Sequence, residues 1–167
     1  MKEYTNFDEF YNDCILIVQK YHSYGINYIR KNLDRNILNS YYCVGDIPFI
    51  IMKILGSNTK LLKLSTDNLI KNLIEHPELS LPDYKNIPLY LRNAEYILKK
   101  NDKNLIYFKI DNHIYQFVIK RTIQADEVFI TTFHKASKKQ LEKDLKRYLN
   151  IKKDSPDCED SKYPSVT

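Results

Sequence analysis

Apolar residues recur at helical spacing from the start of the chain. Phe7, Phe10, Tyr11, Cys14, Ile15, Val18 and Tyr21 share one face of a predicted helix. Asn6 and Glu9 introduce it as a capping box, and Gly25 lies beyond its end. Ile26, Ile29, Leu33 and Ile37 predict a second short helix, and Asp46 is placed to cap a third over Pro48–Leu55. Residues 1–56 therefore read as a helical N-terminal segment, closed by the turn Gly56-Ser57-Asn58.

Past that turn the pattern changes. Lys60–Leu64 reads as a short strand, and Ser65 as the N-cap of a helix carrying Leu69, Ile70, Leu73 and Ile74. Pro77 stops this helix and leaves His76 at its C-terminal end; Ile87–Asn93 reads as another short helix. Tyr96–Lys99, Leu105–Ile110, Ile114–Lys120 and Glu127–Phe133 are aromatic and β-branched runs separated by turn residues, the pattern of an antiparallel sheet. A two-residue loop at Asp111-Asn112 would pair Phe108 with Tyr115 and Ile106 with Phe117, making a core face with Ile110 and Ile119. Tyr107, Lys109, Gln116, Val118 and Lys120 would lie opposite. In the last strand Val128, Ile130 and Thr132 would share one face, and Phe129, Thr131 and Phe133 the other. Ser137 then caps an amphipathic helix carrying Leu141, Leu145 and Leu149, before a polar tail over 152–167. The expected fold is α+β: a small antiparallel sheet packed against helices over 57–151, preceded by the helical segment.

Composition narrows the function classes. A hydrophobic content of 43% in 167 residues is ample for a packed core, and a net charge of +5 suits a nucleic-acid partner. With 3 glycines there is neither a Gly-rich phosphate loop nor a dinucleotide fingerprint. Cys14, Cys43 and Cys158 form no C-x-x-C pair, so neither a zinc site nor a disulfide framework is indicated, and a reducing cytoplasm fits best. The opening MKEYTNFDEF carries acids where a signal peptide needs an apolar run. The most apolar stretch, Ile47–Leu55, is far short of the ~20 residues that span a bilayer. No membrane, metal or cofactor is expected.

Metal-free RNA cleavage needs a base for the 2′-OH, an acid for the leaving 5′-oxygen and donors for the charge on phosphorus. His76 ends a helix, Lys120 and Arg121 end a strand, and Thr131, Thr132 and His134 end the next. Each also has an ordinary structural role open to it: a cap, a solvated turn, or β-propensity for the threonines. His113 reads as a hairpin residue and His22 as a surface residue of the first helix.

The ordered set of segments changes the weighting. Ser65, His76-Pro77-Glu78, Asp83-Tyr84, Ile87-Pro88, Ile119-Lys120 and Thr131-Thr132-Phe133 follow one another in a pattern that resembles the phage-associated barnase–EndoU–colicin–RelE-like nucleases, over about residues 60–147. The resemblance implies a metal-independent endoribonuclease of toxin or mobile-element type, acting on tRNA or another structured RNA and leaving a 2′,3′-cyclic phosphate. It implies His76 as acid or base, Lys120 as phosphate stabiliser and Thr131 or Thr132 as positioning donor. His134 stands where the family more often has Arg, and is a second acid/base candidate. Lys109, Arg121, Lys135 and Ser137 are candidate RNA contacts. Because a helix C-terminus favours imidazolium, His76 is expected to have a raised pKa and to act mainly as the acid, with the base unassigned and His134 its leading candidate. The alternative is a catalytically silent RNA- or protein-binding module, an inhibitor of a host or defence complex. In either case the N-terminal helices are free to contact a host or antitoxin protein.

Overall fold

The computed structural model describes residues 2–154. Cys158 and most of the expected tail lie outside that range. The elements run β1 (Glu3–Tyr4), α1 (Phe7–Lys20), α2 (Ile26–Asn32), α3 (Arg35–Leu38), β2 (Tyr41–Asp46), α4 (Phe49–Leu55), β3 (Leu61–Ser65), α5 (Thr66–Glu75), α6 (Leu81–Lys85) and α7 (Ile87–Arg92). They continue with β4 (Tyr96–Lys99), β5 (Asn104–Ile110), β6 (Ile114–Arg121), β7 (Val128–Ala136), α8 (Lys138–Arg147), β8 (Leu149–Asn150) and α9 (Ile151–Asp154). None of the described helices is long and apolar enough to cross a membrane.

The fold is α+β. Its sheet has eight strands in the order β1-β2-β3-β7-β6-β5-β4-β8. The antiparallel block β4–β7 is as expected, but β1–β2 and β3–β7 pair in parallel, so the sheet is mixed and larger than expected. The N-terminal segment is not purely helical, because Tyr41–Asp46 forms β2 and pairs with β3. Tyr41-Tyr42-Cys43-Val44 is an aromatic and β-branched run, with Tyr42 and Val44 turned to the core. Asp46 closes that strand and pairs with Lys60 at 3.7 Å; the N-cap of α4 is Pro48. The second predicted helix is split, because Asp34 accepts from Asn36 N–H and starts α3 afresh. Gly56 takes a left-handed φ of 75° as the C-cap of α4, so the expected boundary is a helix terminus between two paired strands. Residues from both sides of it share one hydrophobic core.

Several caps match their residues. The Asn6 side chain accepts from Glu9 N–H at 3.0 Å, although Glu9 turns to Lys2 and does not complete the box. Ser65 and Ser137 accept from the N–H groups of Asn68 and Gln140 and start α5 and α8.

The β5–β6 hairpin corrects the expected facing. Its loop is Asp111-Asn112-His113, closed by Asp111 N–H donating to His113 C=O at 2.8 Å, so Ile110 pairs with Ile114. Phe108 thus faces Gln116, and Tyr107 faces Phe117. One residue of slip exchanges the faces of a strand. Leu105 and Tyr107 join Tyr115, Phe117 and Ile119 in the main core, against α1 to α7. Ile106 and Phe108 turn to a second core with Leu98, Val118 and Leu141, beneath α8. Both faces of β5 are buried, which is why alternation gave no guide to its facing.

A bulge corrects β7. Ile119 pairs with Ile130 but Val118 pairs with Thr132, leaving Thr131 unpaired. The extra residue returns Phe133 to the main core beside Ile130, where its ring stacks on Phe117 at 4.4 Å.

Candidate functional site

β3 and β7 pair only at Leu62–Val128 and Lys63–Phe129. Beyond Phe129 the edge of β7 is taken by α5. Asn68 Nδ2 donates to Ile130 C=O at 3.1 Å, and Asn72 Oδ1 accepts from Phe133 N–H at 3.0 Å. Asn72 Nδ2 also donates to the Tyr84 hydroxyl at 2.8 Å. Side-chain amides on successive turns of α5 thus stand in for a strand. One turn further, the same stripe of the helix carries His76.

His76 therefore meets β7 at His134. The two imidazoles stack, with centroids 4.8 Å apart and planes 17° from parallel. His134 Nδ1 lies 3.0 Å from Lys135 C=O, so it donates there and leaves Nε2 to exchange a proton. Glu78 approaches His76 Nδ1 only to 3.8 Å. The His76 pKa is lowered, against expectation: burial and the positive charge available on His134 outweigh the carboxylates of Glu78 and Glu75. The helix-end effect invoked from sequence is overcome by desolvation. A lowered pKa suits a base rather than the acid expected from the sequence.

A second polar cluster lies at the same end of the sheet. Tyr115 OH donates to Asp83 Oδ1 at 2.8 Å, and the Tyr115 ring stacks on Tyr90 at 4.5 Å. Ser80 donates to Asp83 Oδ2 through its backbone and its hydroxyl. Burial alone would raise the Asp83 pKa, but these hydrogen bonds and the nearby Lys135 charge lower it. Burial and the Asp83 carboxylate in turn push the Tyr115 phenol up. Lys135 pairs with Tyr115 across the strands, and His113 stands edge-on to Tyr115 at 6.2 Å. His134 and Lys135 are successive residues of β7, so their side chains leave from opposite faces.

The remaining candidates are dispersed. Lys120 is exposed and pairs with Phe129, whereas His134 pairs with Gln116. Four residues of β6 separate those rows, about 13 Å at the rise of a strand. Lys120 is thus not beside the histidine pair. The Thr131 hydroxyl donates to Val118 C=O at 3.2 Å and stabilises the bulge. Thr132 stays on the face of Val118 and His134. Lys109 is ion-paired to Glu95 at 3.2 Å, and the Ser137 hydroxyl caps α8.

Arg121 has a structural task. Its Nε donates to Leu55 C=O at 2.7 Å and its Nη1 to Thr122 C=O at 3.0 Å, closing the end of α4. Arg121→Ala is expected to lower stability by about 1–3 kcal/mol, the scale of a charged hydrogen bond, read as a lower midpoint in urea. An unchanged midpoint would return Arg121 to the RNA-contact candidates.

Among the described residues, no three His, Cys, Asp or Glu side chains converge as a metal site. A cavity of ≈ 10 Å³ lies behind Thr131 and Phe133, lined also by Leu64, Asn72, Tyr84 and Ile87. That is about the space one water needs and far below a nucleotide. The chain matches no protein-family model, no curated protein and no solved structure.

Asn72 and Tyr115 escaped sequence reasoning. Asn72 carried little signal, because helical spacing puts it outside the Leu69, Ile70, Leu73 and Ile74 stripe, and only the structure shows it buried. Tyr115 carried none, because a strand tyrosine is ordinary.

Proposed function

We propose that this protein is an endoribonuclease that uses the His76–His134 pair and no metal ion. The observation that carries the reading is the stack of two histidines from distant segments, one of them with its pKa lowered by burial and by the other ring. In the proposed reaction His76 takes the proton of the 2′-OH and the 2′-oxygen attacks phosphorus. The P–O5′ bond breaks as His134 gives its proton to the leaving oxygen, so a 2′,3′-cyclic phosphate and a free 5′-OH remain. Thr132, on the same face as His134, is the hydroxyl donor this reading assigns to the phosphate. The stacked rings leave no room between them, so the scissile phosphate lies along their shared edge. A reducing cytoplasm accommodates Cys14 and Cys43 as free thiols.

Incubating the purified chain with total RNA in EDTA and mapping the new ends tests this directly. Cleavage with 2′,3′-cyclic ends is expected in chelator. Cleavage abolished by EDTA and restored by one divalent ion would overturn the metal-free reading.

A second reading, a silent RNA- or protein-binding module, draws on two observations. Lys120 is remote from the histidines, and the α1–α2 corner exposes Leu16 and a stacked Tyr24–Tyr28 pair at 4.0 Å where a host or antitoxin protein could sit. No cleavage of any RNA by protein that melts cooperatively would favour it.

A further inference from the structure

α8 covers only part of its face of the sheet. Beneath it lie Leu98, Ile106, Phe108 and Val118, with Leu141 and Leu145 above. Among the described residues, the strands towards the other edge, β2, β3 and the first part of β7, carry no helix on that side. Registration places one row across this uncovered area: Cys43 beside Lys63, Lys63 beside Phe129, Phe129 beside Lys120. Leu62, Leu64, Val128 and Ile130 point to the main core, so Lys63 and Phe129 point away from it. Phe129 is half-buried and belongs to neither hydrophobic core. Tyr41 is on the same side, because Lys63 Nζ lies 4.4 Å above its ring while also pairing with Glu127 at 3.0 Å. Thr132 and His134 follow along β7, opposite Val118 and Gln116.

We infer that this uncovered face is a track for single-stranded RNA leading to the His76–His134 pair, with Phe129 and Tyr41 stacking bases and Lys120 holding phosphate. The inference rests on the ribonuclease reading for its choice of RNA. Aromatic rings presented on an open sheet between cations take unpaired bases, whose π-faces a duplex hides. Charge supports that occupant over an apolar protein. Lys120 is in no ion pair among the described residues. The neighbouring α8 carries Lys138, Lys139, Lys143, Lys146 and Arg147 against Glu142 and Asp144, and Asp144 is buried and bonded to Gln140. Of the acids beside the row, Glu127 is matched by Lys63, and Glu3, at the β1 edge, accepts from the Tyr41 hydroxyl at 3.5 Å. Continuity is the other support, since the row and His134 lie on one face about 13 Å apart along the strands.

The test is binding of labelled oligouridine 12-mer, and of a duplex of equal length, to full-length His76→Ala protein by fluorescence anisotropy. Single-strand binding is expected to exceed duplex binding. Phe129→Ala and Tyr41→Ala should each weaken it about 5–100-fold, the range for one lost base stack. Lys120→Ala should reduce the salt slope of log K by about 1, as for one phosphate contact. Phe129→Leu, which keeps apolar bulk without an aromatic face, replaces Phe129→Ala if that variant melts early, and the same loss is expected. Unchanged affinity in the Phe129 and Lys120 variants overturns the track, whether or not wild type cleaves RNA. Equal or tighter duplex binding overturns it too. So does a concentration-dependent dimer that Phe129→Leu dissolves, which would assign the face to a second copy. Loss of binding in these variants, with no cleavage by wild type, sustains the track and defeats the ribonuclease reading.

Discussion

His76→Ala is expected to slow RNA cleavage about 10²–10⁴-fold, the usual contribution of one general acid–base group. Its side chain is 26% exposed and its loss removes one ring stack, so stability should fall by only about 0.5–1.5 kcal/mol. His134→Ala should be similarly slow, and the double variant hardly slower than the slower single one, because the two groups act as a unit. The pH profile identifies the role of His76. Its pKa is depressed, so as base it stays competent down to a pH below the ordinary imidazole value of about 6.5. The acid limb of kcat/KM should therefore fall below 6.5 and vanish in the variant. The same shift carries a stability consequence of definite sign. Between the depressed folded value and about 6.5 the unfolded chain binds more protons, so this contribution is complete above that window and lost as pH falls through it. A cleavage rate unchanged by His76→Ala would overturn the catalytic assignment outright.

Asn72→Leu is expected to be the most destabilising conservative change at the site, costing about 2–6 kcal/mol, since two buried groups lose their partners at about 1–3 kcal/mol each. Asn72 is buried and holds both Phe133 N–H and the Tyr84 hydroxyl. Leucine keeps the volume and satisfies neither. Tyr84→Phe in the Asn72→Leu background removes one of the two orphans and should restore part of the loss. Equilibrium urea unfolding of wild type and the two variants measures this. Equal midpoints for wild type and Asn72→Leu would mean that α5 is held to β7 by apolar packing alone. The double-amide seat also bears on chemistry, because His76 is one turn along the same stripe and its distance to His134 depends on it.

Local signals were legible, and long-range ones were not. Ser65, Ser137 and Asn6 could be read as caps because each acts within its own first turn. Tyr96–Lys99 was readable because its aromatic and β-branched residues are bounded by turn residues. The β2 strand was hidden by Gly45 and by its setting among helices. The hairpin register was lost to a single residue, His113, which lengthens the loop and exchanges the faces of Tyr107 and Phe108. The bulge at Thr131 leaves no mark in the sequence, yet it decides that Phe133 is core and that Thr132 and His134 share the face of Phe129. His76 and His134 could each be nominated, but their meeting depends on α5 replacing a strand. Lys120 failed as their neighbour because strand β6 is long enough to carry it to the other end of the sheet.

The narrow pairing of β3 with β7 has a consequence for how the chain assembles. The meander β4 to β7 connects neighbours in sequence and closes short loops, so it can form early. The preceding segments join it through two residue pairs, the amides of Asn68 and Asn72, the Arg121–Leu55 and Asn58–Ala125 hydrogen bonds, the Lys63–Glu127 pair and a shared core. Closing that seam brings together segments more than 60 positions apart, the step with the largest loop entropy to overcome. The histidine pair straddles the same seam, one ring on each side. On the ribonuclease reading, the catalytic pair is therefore assembled late as the chain folds and lost early when the two parts open locally.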